Sequence, residues 1–155
     1  MKKKLIWLFV LVIFAAISMA GCGNKDEKDI LSYCDEDIQT LFDGDELPMA
    51  VRHGRGGEFG YIQYETTDKQ MIRAFMQAVR QIKVEEQTEG IAFDALDEIV
   101  FVMEDGQTYF ICFNAWRLDN IDRNNKTETI YNLKNVSPLQ DLCKKIDKDE
   151  NMVKR

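Results

Sequence analysis

A chain of 155 residues has room for one compact domain of ordinary size and, once a leader is set aside, too few residues for two. It carries 27 acidic against 20 basic side chains, a formal charge of −7, which argues against nucleic-acid binding because affinity for phosphate backbones comes from clustered Lys and Arg. An acidic surface of this kind is the ordinary solvated state of a secreted domain and names no partner.

Lys2, Lys3 and Lys4 precede an unbroken apolar run from Leu5 to Ile17, and a small-residue stretch follows it. That order predicts a secretory signal peptide over residues 1–21. The thirteen-residue run is well short of the roughly 20 that a membrane-crossing helix needs. Met19-Ala20-Gly21-Cys22 resembles the lipobox of bacterial lipoproteins, with Met19 where leucine is commoner. The resemblance implies a diacylglyceryl group on Cys22, acyl chains such as palmitate, and a chain anchored at the extracytoplasmic face of the cell membrane. Two acyl chains hold firmly, since each buried methylene contributes about 0.8 kcal/mol. Loss of residues 1–21, which hold three lysines and no acid, would take the formal charge from −7 to −10. Residues 22–29, without an apolar side chain after Cys22, read as the lipid-anchored tether, and 30–155 as the domain.

With Cys22 lipidated, Cys34, Cys112 and Cys143 remain, an odd number that argues against a disulfide framework. A single Cys34–Cys143 bridge stays open as an alternative to free thiols, and Cys112, inside a strand-like run, reads as a buried free thiol.

Ile30, Cys34, Ile38, Leu41 and Phe42 recur at helical spacing and predict a short amphipathic helix, ended by Asp43-Gly44-Asp45. Strands are predicted over 49–53 and 59–65, joined by a glycine-rich loop. Thr67-Asp68-Lys69-Gln70 offers a capping box, and Ile72, Phe75, Val79 and Ile82 share one face of a helix over about 68–83. Two β-rich runs, 98–104 and 107–113, flank Asp105-Gly106, the pattern of a two-residue type I′ hairpin. That turn would set Met103 opposite Thr108, Phe101 opposite Phe110 and Ile99 opposite Cys112. A polar loop, a strand over 128–133, and a helix begun by Ser137 as N-cap with Pro138 at its first position complete the chain, with Leu139, Leu142, Cys143 and Ile146 as a buried stripe. The expected fold is a single small α+β domain, a mainly antiparallel sheet of four to six strands packed with two main helices.

Arg52-x-Gly54-Arg55-Gly56-Gly57, then Tyr64-Glu65-Thr66-Thr67-Asp68 opening a helix, then a hairpin, resembles uncharacterised domains in secreted proteins of Gram-positive bacteria, over residues 48–147. The resemblance implies a fold and no activity.

The glycine-rich run holds the one concentrated set of candidate ligand-binding residues. Backbone N–H groups around Gly54, Gly56 and Gly57 could form an anion nest, with Arg52 and Arg55 supplying charge and fork geometry. The competing reading is a tight turn whose arginines meet solvent or carboxylates. No Gly-Lys-Ser/Thr follows and the spacing fits no dinucleotide fingerprint. His53 is the only histidine and has no nucleophile placed beside it by the sequence, so a structural role is expected. Trp116, at the end of the hairpin, is the aromatic most expected to be partly exposed. No cofactor or metal is expected, since the cysteines lack CxxC spacing and the acidic clusters at 35–37, 43–46 and 94–98 fit no calcium loop. Those clusters read as solvated loops and caps. The functional expectation is therefore a non-catalytic, lipid-anchored binding domain for a partner protein or a small anionic or cell-wall ligand. An enzyme with an unfamiliar site in the run 52–60, and a structural or inhibitor-like module, are the alternatives.

Overall fold

The computed structural model describes residues 28–57, 60–88, 96–122 and 127–153. The expected signal peptide, residues 1–21, and Cys22 lie outside the described residues. Among the described residues eight strands form one antiparallel sheet: β1 (Lys28–Asp29), β2 (Ala50–Gly57), β3 (Gly60–Thr66), β4 (Lys83–Thr88), β5 (Leu96–Val102), β6 (Thr108–Asn114), β7 (Arg117–Asp122) and β8 (Thr127–Lys134). Their spatial order is β1-β4-β8-β7-β6-β5-β2-β3. Three α-helices among the described residues accompany them, α1 (Glu36–Asp43), α2 (Lys69–Arg80) and α3 (Ser137–Ile146).

The sheet thus exceeds the four to six strands expected, and three helices pack with it rather than two main ones. The strands that composition concealed are β4, Lys-Val-Glu-Glu-Gln-Thr, and β7, Arg-Leu-Asp-Asn-Ile-Asp. Neither alternates cleanly. Each lies between two hydrogen-bonded neighbours, and ladder pairing sustains it where the composition is polar.

Strand parity divides the sheet into two faces. Val51, Ile99, Phe101, Ile111 and Phe113 point to one side and merge with the apolar stripes of all three helices into one buried cluster. Helix α2 follows edge strand β3 and leads to β4 near the opposite edge. Its face of Ile72, Phe75, Met76 and Val79 is fully buried. Asp68 caps it, the carboxylate accepting from the backbone N–H groups of Gln70 and Met71 at 2.7 and 3.0 Å. Helix α1 sets Phe42 edge-on to Phe101, with ring centroids 5.3 Å apart. Helix α3 begins at Ser137 itself; Val136 holds the N-cap position and makes no side-chain cap. On the opposite face Ala50, Val100 and Val102 form a small separate cluster that no helix residue joins.

Short segments blunt the sheet edges. β1 pairs with β4, and at the other edge the Val153 N–H donates to Gln63 O at 2.8 Å.

The β5–β6 hairpin differs in register from the two-residue turn. Val102 pairs with Thr108, Phe101 with Tyr109 and Ile99 with Ile111. Only Gly106 has positive φ, at 85°, and the Gly106 N–H donates to Met103 O, leaving a three-residue connection closed by Met103 N–H to Gln107 O at 2.9 Å. The Asp105 carboxylate accepts from the Gln107 N–H at 2.9 Å, a local bond that competes with the type I′ geometry. One residue of slip moves Phe110 to the helix-free face, where it is exposed.

Cys34, Cys112 and Cys143 are free thiols, so the Cys34–Cys143 bridge does not form. Cys112 is half-buried on the helix-free face, its S–H donating to Glu98. Burial, and then the Asp35 charge, push the Cys34 thiol up to about 12. Burial first, and then Asp147 and Asp97, raise the Cys143 thiol still further. At pH 8 such a shift cuts the Cys34 thiolate population about a thousandfold, so iodoacetamide is expected to label the native chain far more slowly than the urea-unfolded one. Comparable rates in a mass-spectrometric time course would contradict this burial. The folded-state value lies above the unfolded one, so the Cys34 contribution to stability is complete below about pH 9 and is lost as pH rises towards 12.

Candidate ligand-binding site

The glycine-rich run is strand, not loop. β2 passes through Gly54, Arg55 and Gly56, pairing with β3 on one side and β5 on the other, and Gly57 pairs with Gly60. With Gly54 and Gly56 in two ladders and Gly57 in one, the run is extended strand and not the concave nest expected around these three glycines. Residues 58 and 59, with the expected strand start at Phe59, lie outside the described residues.

Strand parity also separates the two arginines. Arg52 points to the helix-free face and donates from Nε to Glu65 at 2.6 Å, whereas Arg55 points to the helix side. Gly54 and Gly56 serve the helix-free face instead. A Cβ on Gly54 would lie 2.1 Å from the Tyr61 hydroxyl oxygen, and one on Gly56 would meet Leu96 Cβ at 3.3 Å. The Tyr61 ring therefore lies flat over bare backbone. Its hydroxyl donates to Glu98 and accepts from Gln63 Nε2 at 2.9 Å. Burial and then the Glu98 bond push the Tyr61 phenol up to about 12.

On the helix side, β2 delivers His53 and Arg55 to a cavity of about 210 Å³. His53 is 2 % exposed. Its Nδ1 lies 2.7 Å from Asp147 Oδ1 and its Nε2 lies 3.2 Å from Asp97 Oδ1, the two carboxylates being 14 % and 13 % exposed. Asp147 is the C-cap residue of α3 and Asp97 belongs to β5, so the imidazole ties the helix end to the sheet. Only a doubly protonated ring donates from both nitrogens; a neutral one needs a proton on one of the carboxyls to make both bonds. Arg55 approaches Asp147 Oδ2 at 3.6 Å and is 59 % exposed at the rim.

Trp116 walls this cavity, its ring 6.0 Å from that of His53 and 5.5 Å from that of Phe113. It sits in the two-residue turn between β6 and β7, where Ala115 and Trp116 have φ of 49° and 60°. Positive φ at both positions is the type I′ pattern that Asn and Gly favour, and side-chain-bearing residues there carry strain. Ala115→Asn, which suits this conformation, is expected to raise stability by about 0.5–1 kcal/mol in urea titration. An unchanged or lower midpoint would show that the turn is unstrained.

Gln140, Cys143 and Lys144 from α3 complete the lining. Of the six residues singled out by sequence, His53, Arg55 and Trp116 come together, while Arg52, Gly56 and Gly57 do not line the cavity. Sequence reasoning missed Asp147 and took Asp97 for a solvated acid. The available signal was the buried histidine itself, because a His inside an apolar strand needs partners for both nitrogens. Among the described residues no group of three or more His, Cys, Asp or Glu could hold a metal ion.

Compared with known proteins, the chain matches no protein-family model, no curated protein and no solved structure.

Proposed function

We propose that this chain is a lipoprotein anchored at the extracytoplasmic membrane face through Cys22, and that its domain binds a small ligand without converting it. Support for the anchor comes from the leader and the Met19-Ala20-Gly21-Cys22 motif. One observation carries the binding reading: a cavity walled by a strained Trp116 has for its floor a histidine whose two nitrogens are both engaged by carboxylates. Such a ring has no free nitrogen to act as a base towards the neighbouring Cys143 thiol, which burial holds protonated. A pre-formed cavity with a few convergent polar groups suits recognition.

Cys22→Ser is expected to abolish incorporation of labelled palmitate and to move the chain from the detergent phase to the aqueous phase on Triton X-114 partition. Retained label would contradict the anchor. Turnover of cell-wall peptide or glycan by the purified chain would contradict the non-catalytic reading.

A further inference from the structure

We propose that the cavity takes a zwitterion of amino-acid size, its ammonium group at Asp97 and Asp147, its carboxylate at Arg55, and its apolar part against Trp116. The inference rests on the binding reading above and names the ligand class. Size comes first. A cavity of about 210 Å³ has room for a molecule of amino-acid size.

Charge decides between the remaining classes. Two carboxylates flank one imidazole at the floor, so even a fully protonated ring leaves that unit with one net negative charge. Arg55 stands at the rim, 59 % exposed, and Lys144 beside it, 75 % exposed, donates to Asp141 at 3.2 Å, so the positive charge of the rim rests on Arg55. Arg55 meets Asp147 only at 3.6 Å, beyond hydrogen-bond length, and its planar fork suits a carboxylate. A simple anion would be drawn to the rim and repelled by the floor, and a simple amine the reverse. A molecule carrying both charges on neighbouring atoms matches both ends, since Arg55 stands 3.6 Å from Asp147. The indole face of Trp116 adds a surface for an aliphatic or aromatic group and attracts a nearby ammonium.

The test uses the full chain in detergent with Trp7→Phe, which leaves Trp116 as its sole indole. Its emission is titrated with L- and D-leucine, with 3-methylbutylamine, which is leucine without its carboxylate, and with 4-methylpentanoate, which is leucine without its amine. Saturable change with at least one leucine enantiomer, and at least tenfold weaker response to both single-charge analogues, is expected. Arg55→Gln should weaken the leucine response at least tenfold and leave that to 3-methylbutylamine unchanged. If either analogue equals leucine, the zwitterion inference is overturned and the binding reading stands. If leucine has no effect, the inference is overturned; the binding reading falls with it only if phosphate, sulfate and N-acetylglucosamine also leave both the emission and the melting temperature unchanged. Equal leucine affinity in the Arg55→Gln chain would overturn the assignment of the carboxylate end.

Discussion

His53→Ala is expected to destabilise the domain by about 3 kcal/mol, a fall in melting temperature of roughly 10 °C. The loss of packing is the smaller part. With the imidazole gone, Asp97 and Asp147 face one another across a mostly buried gap, and an uncompensated charge in such a place costs far more than the pair it leaves. A second variant separates the two contributions: adding Asp97→Asn to His53→Ala should restore about half of the loss, because one of the opposed charges is removed. A histidine retained only for chemistry would behave differently, and His53→Ala would then melt like the parent chain. Calorimetry of the three proteins decides between a strut and an ornament.

Gly54→Ala is expected to cost about 2 kcal/mol, which is large for one added methyl in a strand. The new Cβ would meet the Tyr61 hydroxyl oxygen at 2.1 Å and its Cζ at 2.7 Å, so the ring must swing away. Swinging breaks its bonds to Glu98 and Gln63 and uncovers the backbone of β2. The same substitution made in a Tyr61→Ala background should cost under about 1 kcal/mol, the coupling between the two sites appearing as the difference. Equal costs in both backgrounds would mean that the glycine is kept for backbone conformation, as in a loop, and would contradict the flat-ring account.

These two residues also mark how far the sequence could be read. Helix α2 was legible because Ile72, Phe75 and Val79 recur at helical spacing behind Asp68, and both its local capping and its burial agree. The β5–β6 hairpin was legible in its strands and not in its register, because Asp105 spends its carboxylate on the Gln107 N–H and opens the turn by one residue. Glycines at 54 and 56 carry two physical meanings, freedom of φ and absence of a Cβ. The sequence suggests the first and the fold uses the second, since the ring that needs the space arrives from β3, across the hairpin. β4 and β7 stayed hidden because a strand held by two neighbours can be rich in Glu, Gln and Asp.

The site itself is scattered along the chain. His53 and Asp147 are 94 residues apart, and what unites them is the pairing of β2 with β5 and the return of α3 across the helix side. Nothing in local periodicity encodes that meeting. A residue such as Trp116 was visible as an aromatic beside a hairpin end, yet its positive φ and its place over His53 are properties of the closed sheet.

The central claim is that His53 is buried at the floor of a cavity, bonded on both nitrogens and covered by Trp116. Because the chain contains a single histidine, proton-detected ¹⁵N NMR of the imidazole reads this site without ambiguity. The structure predicts a ring N–H that exchanges slowly with solvent and shows nuclear Overhauser contacts to the Trp116 indole. A ring N–H that exchanges as fast as free imidazole, with no contact to Trp116, would contradict it.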